Sequence, residues 1–422
     1  LISSLKLIAG QKPDIIIPSR GEIITDPQES IAKLIGRIRA VYSNYLSISA
    51  YRWYFPGRMQ TMSDHVIGEN AAIPSIAYAD VLKSDPPSWY RHISNTNLVV
   101  SDDGSAFVID CGTENAFREI SRLTDSGSIK SIDGIFITHY HDDHTDFVNK
   151  ITERYGCPVY VTPQLREIIE KPSDFNLPCL THEHIKDLRI VEDESKMTWK
   201  EFFLTSFYFP GQTIYHDAVL IEKNNGEKIF FTGDSFTPSG IDDYCLLNRN
   251  LLHPGTGYFK CIDILKELPE DVLLSNQHVE PLFSFSDQQL KQMEDSLRKR
   301  TELLRDLIDQ DNINYGVDEQ WVRIHPYSQQ VYRGKAAVCT VKIFNHSDSV
   351  TEYTLEPDMP EGFRVEPEKS TVTISPQQTG ELTFRVTASE KVRPGIHIML
   401  ADVKTGNRIL REWCEAIIEI TP

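Results

Sequence analysis

The stretch "THYHDDHTD", residues 138–146, sets the reading of the rest of the chain. It places His139, His141 and His144 beside Asp142, Asp143 and Asp146, in a chain with only 13 histidines. The preceding "GIFITH" is an apolar run that reads as a buried strand, and the following "DFVNKITERYG" reads as a helix. The loop between them then lies at the carboxyl end of a strand, where open α/β sheets place their ligands. On an extended segment His139 and His141 project to the same side. Asp143 and His144 follow on the turn into the helix. Thr145 or Asp146 can cap that helix, but capping leaves three imidazoles without a purpose. Imidazoles and carboxylates this close together are the donor set of a metal site.

Working outward, residues from about 90 to 315 alternate short β-rich runs with helical patterns. The runs include "AFVIDCG", "CPVYVT", "AVLIEK" and "KIFFTGD"; the helical patterns include "PQLREIIEK" and an amphipathic stretch from Asp287 to Ile308. Strands interleaved with helices predict an α/β layered domain over residues 49–313. The aromatic stretch "SAYRWYFPGRM", residues 49–59, reads as core packing, with packing between domains or a wall of the substrate cleft as the other readings. From Asn314 to Pro422 helical periodicity gives way to short alternating strands such as "AVCTVKIFN" and "GELTFRVTA", punctuated by Pro, Gly and Asn. These predict a separate immunoglobulin-like β-sandwich over 314–422. It resembles sandwich modules appended to bacterial enzymes that handle surface or secreted substrates. Cys339 and Cys414 fall in its first and last strands, as a disulfide or as two separate core residues.

Residues 1–48 contain "KPDIIIPSRGEIITDPQESIAKLIGRIRAVY", read as a buried strand, a turn and a helix. The same order recurs in "PEDVLLSNQHVEPLFSFSDQQLKQMEDSLRKRTELL", residues 269–304. The similarity suggests that 1–48 is the tail of an upstream repeat of the same fold, the alternative being a chance likeness between two strand–turn–helix units. The chain starts at Leu without a basic region or long apolar core, so it reads as a piece of something longer and not as a signal peptide. Hydrophobic content is 40% and charged content 25%, ordinary for a globular protein, and no apolar run is long enough to span a membrane. The net charge of −18 disfavours nucleic acid as a partner. Seven widely spaced cysteines without a CxxC fit neither a disulfide scaffold nor a zinc ribbon.

The spacing His139-x-His141-x-Asp143-His144 is the HxHxDH signature of the metallo-β-lactamase superfamily, which this sequence strongly resembles over about residues 95–300. The resemblance implies an αββα sandwich that binds one or two metals at its strand ends. It implies a bridging carboxylate at Asp234, in "KIFFTGDSF", and a last imidazole at His278, in "DVLLSNQHVEP". The third histidine departs from the family. Its usual Pro-Gly-His-Thr is here "FPGQTIYHDAVLIE", with Gln212 at the expected place. An amide oxygen is a poor zinc ligand, and some branches take this ligand from a histidine just before the next strand, which assigns His216. Gln212 then hydrogen-bonds near the site. Asp110, in "AFVIDCGT", would hold the histidine loop and fix a tautomer from outside the ligand set. "PSRGEI" carries Arg20 where the family's last ligand often sits, so the upstream copy would lack it.

The implied ligand sets are His139, His141 and His216 for one metal and Asp143, His144 and His278 for the other, with Asp234 between them. The implied activity is a zinc-dependent hydrolase, with two zinc ions per chain, that uses a metal-activated water to cleave an ester, amide, thioester or phosphoester-type bond. Asp143 would orient the nucleophile and shuttle a proton. Iron or manganese are the other metals such a set accepts. Redox-active diiron branches carry Glu at the position of His141, so zinc fits better. A degenerate metal-binding scaffold acting through the sandwich, or an iron-dependent oxidoreductase, are the competing readings. Residues 237–260 form an insertion that reads as a substrate lid. Within it Arg249 would bind an anionic group, and Tyr244 or Tyr258 would hydrogen-bond a leaving oxygen. Tyr140, between two ligands, would face the pocket or pack beneath the loop. The expected substrate is a small molecule or a surface glycan, and the sandwich favours a bacterial periplasm or cell envelope.

Overall fold

The computed structural model describes every residue except Arg20, Gly21, Asn70, Tyr244, Cys245, Leu246 and Pro422. Two β-sheets face one another through a shared apolar layer. The first is six-stranded and runs in chain order from Tyr90–Ile93 through Thr96–Val100, Ser105–Ile109, Ser131–Phe136 and Val159–Val161 to Leu188–Ile190. The second is seven-stranded, with Lys228–Phe231 at its centre between Leu273–Asn276 and Asp217–Lys223. Strand side chains alternate between faces. Phe107, Ile109 and Phe136 therefore meet Phe202, Val219 and Phe231 between the sheets. Ala106, Val108 and Ile135 turn the other way, onto the helices Glu114–Asp125 and Val148–Tyr155. Ala218, Leu220, Phe230 and Leu274 turn onto Gly257–Glu267 and Asp287–Arg305. The layers are helix, sheet, sheet, helix, as the sequence predicts.

Parallel pairing explains the helices on the outer faces. Ser105–Ile109, Ser131–Phe136 and Val159–Val161 pair in parallel, so each connection must cross over the sheet. Thr113 begins the first crossover helix, its hydroxyl accepting a hydrogen bond from the Ala116 amide at 3.3 Å. Ser286 and Gln289 form a reciprocal capping box at the start of Asp287–Arg305. The same Gln289 donates to the carbonyls of Ala77 and Tyr78, so the cap also anchors the 77–78 segment. Of the stretch 49–59, residues 49–54 pack as predicted, whereas Phe55, Pro56, Gly57 and Arg58 are exposed. Ser49 bridges to Ile241, Arg52 donates to the Ile76 carbonyl at 3.0 Å, and Trp53 and Tyr54 lie against the seven-stranded sheet's helical layer.

The C-terminal region is all-β. Four strands beginning with Val322–His325 and five beginning with Ser328–Tyr332 face each other across one core, which joins Trp321, Val341 and Phe384 to Tyr353, Met399 and Ala416. Among the described residues no helix is long and apolar enough to cross a membrane.

One expectation changes and one open alternative is decided. The run "DIII" does not form a buried strand: Ile16 makes a single antiparallel bridge to Ile24, and Ile15 and Ile17 are exposed. Among the described residues no neighbouring strand covers them, and an apolar run becomes a buried strand only when a sheet accepts it. The helix after it, Pro27–Ser47, does form and packs on Asp287–Arg305, with Asn44 donating to Ser296. Arg20 lies outside the described residues. The alternative decided is that of Cys339 and Cys414, which are two separate buried thiols and not a disulfide. Of the described cysteines only Cys179 is exposed. Iodoacetamide should therefore alkylate Cys179 in the native protein and spare Cys111, Cys157, Cys261, Cys339 and Cys414 until denaturant is added. Peptide mass mapping checks this; rapid native labelling of Cys339 or Cys414 would contradict it.

Candidate metal centre

The loops that follow Ile109, Phe136, Phe231 and Asn276 meet at one end of the facing sheets. Asp110 joins them. It is fully buried and holds a left-handed backbone, φ 59°, unusual for a residue with a Cβ. Its carboxylate accepts from the Thr138 amide at 2.7 Å, the Thr138 hydroxyl at 2.7 Å, His144 Nδ1 at 3.0 Å and Gln277 Nε2 at 2.7 Å. Burial pushes this carboxyl up, against the hydrogen bonds from His144 and Thr138 that favour its charged form. Because Nδ1 of His144 is engaged by Asp110, Nε2 is the nitrogen left to face inward. Thr138 Oγ1 likewise lies 3.0 Å from His139 Nδ1 and leaves His139 Nε2 inward.

Five of the seven predicted donors fall into two compact groups, while His141 and His216 stand beside His139 outside both. Donor atoms of His139, His144 and Asp234 lie within 4.8 Å of one another, and so do those of Asp143, His144 and His278. Asp234 Oδ2 stands 3.3 Å from His144 Nε2, 3.2 Å from His278 Nε2 and 3.9 Å from His139 Nε2. His278 Nε2 is 3.1 Å from Asp143 Oδ2. His141 Nδ1 is 3.1 Å from His139 Nε2, and the His216 ring stacks on His139 with centroids 4.8 Å apart. His144 thus stands between both predicted ligand sets. Gln212 donates to Asp234 Oδ2 at 3.3 Å. His139, His141, His144, His216 and Asp234 are buried, whereas 42% of the Asp143 and 35% of the His278 side-chain surface is exposed. Access is over that pair.

Electrostatics divide the imidazoles. Burial holds His216 down at about 3 and His141 at about 4, so both are neutral near pH 7. His139 is likewise well below its ordinary value through burial and neighbouring imidazoles. Burial also disfavours charge on His144, but Asp234, Asp143 and Asp110 outweigh it and push the ring well up. Asp234 is pushed up by burial, yet His278 and His144 hold it well below the usual carboxylate range. Neutral buried imidazoles and an ionised carboxylate suit a divalent cation. Moreover, His141 Nε2, His216 Nδ1 and Asp234 Oδ1 are buried without a protein hydrogen-bond partner. Buried polar atoms are rarely left so, and here they border one cluster. The donor set fits a metal.

Two glycines are required by close approach. A Cβ on Gly112 would fall 1.9 Å from the Asp143 carbonyl carbon. One on Gly233, φ 54°, would fall 2.4 Å from His216 Nε2. The Asp-x-Gly and Gly-Asp patterns thus record space occupied by the ligand loops. Sequence reading missed Asn95, whose amide donates to the Asp143 carbonyl and whose Oδ1 accepts from Thr113 at 3.3 Å. It missed Ser235, 3.2 Å from His216 Nε2, and Gln277 as well. Only the adjacency of Ser235 and Gln277 to predicted ligands could have flagged them.

The structure brings the expected substrate residues elsewhere. Arg249 is buried and bidentate on Asp318, at 2.7 and 2.9 Å, so its guanidinium is not offered to an anion. The hydroxyl of Tyr258 is committed to the carbonyls of Ser235 and Asp242. Tyr140 is buried in the helix-facing core, its ring edge-on to Tyr215. Tyr244 lies outside the described residues. The described insertion is packed more than lid-like: Phe236–Thr237 pairs with Gly240–Ile241, and Gly257–Glu267 is a core helix. An Asp110→Asn variant should lose about 1.5–3 kcal/mol of stability with its charged hydrogen bonds. Its metal content should fall as well. Denaturant titration with elemental analysis tests this, and an unchanged variant would contradict the role.

Residues 89–278 match the sequence profile of the metallo-beta-lactamase superfamily. A probable metallo-hydrolase of Methanocaldococcus jannaschii is 27% identical over 158 residues, 36% of this chain and 71% of that protein. A hydroxyacylglutathione hydrolase of a Marinomonas species is 42% identical over 111 residues, 26% of this chain and only 35% of that protein's length. A metallo-beta-lactamase structure from Cronobacter sakazakii aligns with a TM-score of 0.36 and 14% identity, covering 45% of this chain and 76% of that one. With its histidine loop, its strand-end donors and the match to the superfamily's sequence profile, the region spanning residues 89–278 belongs to the metallo-beta-lactamase superfamily.

Proposed function

We propose that the protein is a zinc-dependent hydrolase holding two metal ions. The observation that carries this reading is the convergence of His139, His144, His278 and Asp143 on Asp234, with unpartnered buried atoms on His141, His216 and Asp234. Nitrogen and carboxylate donors without thiolates suit zinc. When bound, zinc supplies Lewis acidity and a water of lowered pKa. The chain's own residues do the rest. The exposed Asp143 carboxylate, beside His278, orients an incoming water and carries its proton. Asn95 pins the Asp143 backbone, and Gln212 orients Asp234. Substrate enters over Asp143 and His278, so it is a small molecule or the end of a chain such as a glycan. The bond is an ester, amide, thioester or phosphoester. Hydroxyacylglutathione heads the panel because of the 42% identical stretch.

Elemental analysis of the purified chain should find about two zinc ions. His216→Ala should lower the content to about one, and Gln212→Ala should leave it near two. Iron with a visible absorbance band would favour an oxidoreductase, and a metal-free protein inert across the hydrolysis panel would favour a scaffold.

Metal uptake should also release protons. In the metal-free protein Asp234, then Asp143, raise His278 to about 10, so it is protonated at pH 7. That raised value stabilises the metal-free fold fully below the unfolded value of 6.5, and the contribution is lost as pH rises through about 10. A cation must displace this proton, so metal affinity falls as pH is lowered. Calorimetric titration at pH 7 in buffers of different ionisation enthalpy should show net proton release. Zero release would contradict the arrangement.

A further inference from the structure

The C-terminal sandwich reaches the metal centre through a chain of buried polar contacts. Asp318, at the entry to the sandwich, is fully buried. It accepts from Arg249 Nε and Nη2 at 2.7 and 2.9 Å, and lies 2.9 Å from His346 Nε2, from within the sandwich. The remaining Arg249 nitrogen, Nη1, donates to the Tyr215 hydroxyl at 3.0 Å. Tyr215 immediately precedes His216, and its ring packs on Tyr140, which stands between His139 and His141.

The backbone makes a second connection at the same place. The Ile214 amide donates to the Asn248 carbonyl at 3.1 Å. Residues 247–252 are in turn gripped by the segment leading into the sandwich. The Leu247 amide points to Glu319 Oε1 at 3.4 Å, and the Leu252 amide donates to Asn314 Oδ1 at 2.7 Å. Leu247 and Arg249 both hold left-handed backbone, φ 58° and 56°. Such strain persists where surrounding contacts over-determine the conformation. Strand contacts already fix the far side of His216, through Asp217 to Thr138 and Phe209 to the His216 carbonyl. Among the described residues the Gln212–Tyr215 side has no such strand; residues 248–249 hold it, together with the Tyr208 hydroxyl, which donates to the Ile214 carbonyl at 2.9 Å, and Ser235 Oγ, which accepts from the Gln212 amide at 3.2 Å.

We propose that the C-terminal sandwich positions the first-site imidazole: Asp318 and His346 fix Arg249, Arg249 fixes Tyr215, and Tyr215 sets the loop that presents His216. Asp318, Arg249 and Tyr215 are positioning residues, and residues 247–252 are the strap between the two regions. The inference rests on the zinc-hydrolase reading, because it assigns His216 to a metal.

The test compares full-length wild type with Tyr215→Phe and Asp318→Asn, and with Arg411→Ala, which alters an exposed sandwich residue. Zinc affinity is measured by chelator competition, the site environment by the visible spectrum of the cobalt-substituted protein, and folding by thermal denaturation. Tyr215→Phe removes one hydroxyl and keeps the Arg249–Asp318 pair, so it should melt near wild type. It should bind its weaker-held zinc about tenfold less tightly, with a shifted cobalt spectrum. Asp318→Asn should do the same with a lowered melting temperature, and Arg411→Ala should match wild type. A purely structural interface would lower melting temperatures and leave the Tyr215→Phe affinity and spectrum unchanged; that result overturns the inference alone. A wild type that binds no zinc overturns the hydrolase reading and this inference with it.

Discussion

The buried carboxylate of Asp110 is the constraint on which the centre depends. It reaches three ligand-bearing points at once: Thr138 before His139, His144 itself, and Gln277 before His278. The first two share the loop after Ser131–Phe136 and the third follows Leu273–Asn276 in the other sheet, so the carboxylate, itself just past Ser105–Ile109, converts the register of two sheets into the spacing of imidazoles. It also settles ring chemistry. By taking the proton side of His144, and through Thr138 that of His139, it leaves one nitrogen of each ring facing Asp234. A buried charge without partners would cost several kcal/mol, so Asp110 is tolerable only because these donors satisfy it.

The layered fold was legible because its signals are local and repeated. Apolar runs such as "GIFITH" and "KIFFTGD" alternate with helical patterns, and an HxHxDH cluster appears in one short stretch. Asp234 and His278 were legible through their places at strand ends. What failed was anything decided by a distant partner. Arg249 looks like an anion binder until Asp318, 69 residues on, proves to face it. "DIII" looks like a core strand but lacks a sheet to join. Asn95 carries no motif, and its contact with Asp143 crosses 48 residues. Gly112 and Gly233 were visible as pattern, while the reason for them, contact with Asp143 and His216, exists only in three dimensions.

Between the two regions the structure uses charge where an ordinary interface would use apolar surface. Arg249 and Asp318 are almost wholly removed from water, and Asp318 holds its proton less readily than a free carboxyl because Arg249 and His346 outweigh the effect of burial. Such pairs add little net stability but penalise alternatives, since leaving either partner alone costs about 3–5 kcal/mol. The sandwich therefore has one seat on the neighbouring region, and the insertion carrying Arg249 cannot swing freely above the site.

The uneven exposure of the donors imposes a direction. Asp143 and His278 form the only accessible rim among the seven candidate donors, while His139, His141 and His216 lie behind them. Traffic to the interior must pass that rim. With two cations held as proposed, the inner one would enter first and depart last, and an occupied outer position would act as its stopper. Exchange would become a queue, in which the residence time of the deeper ion is set by its neighbour as much as by its own ligands.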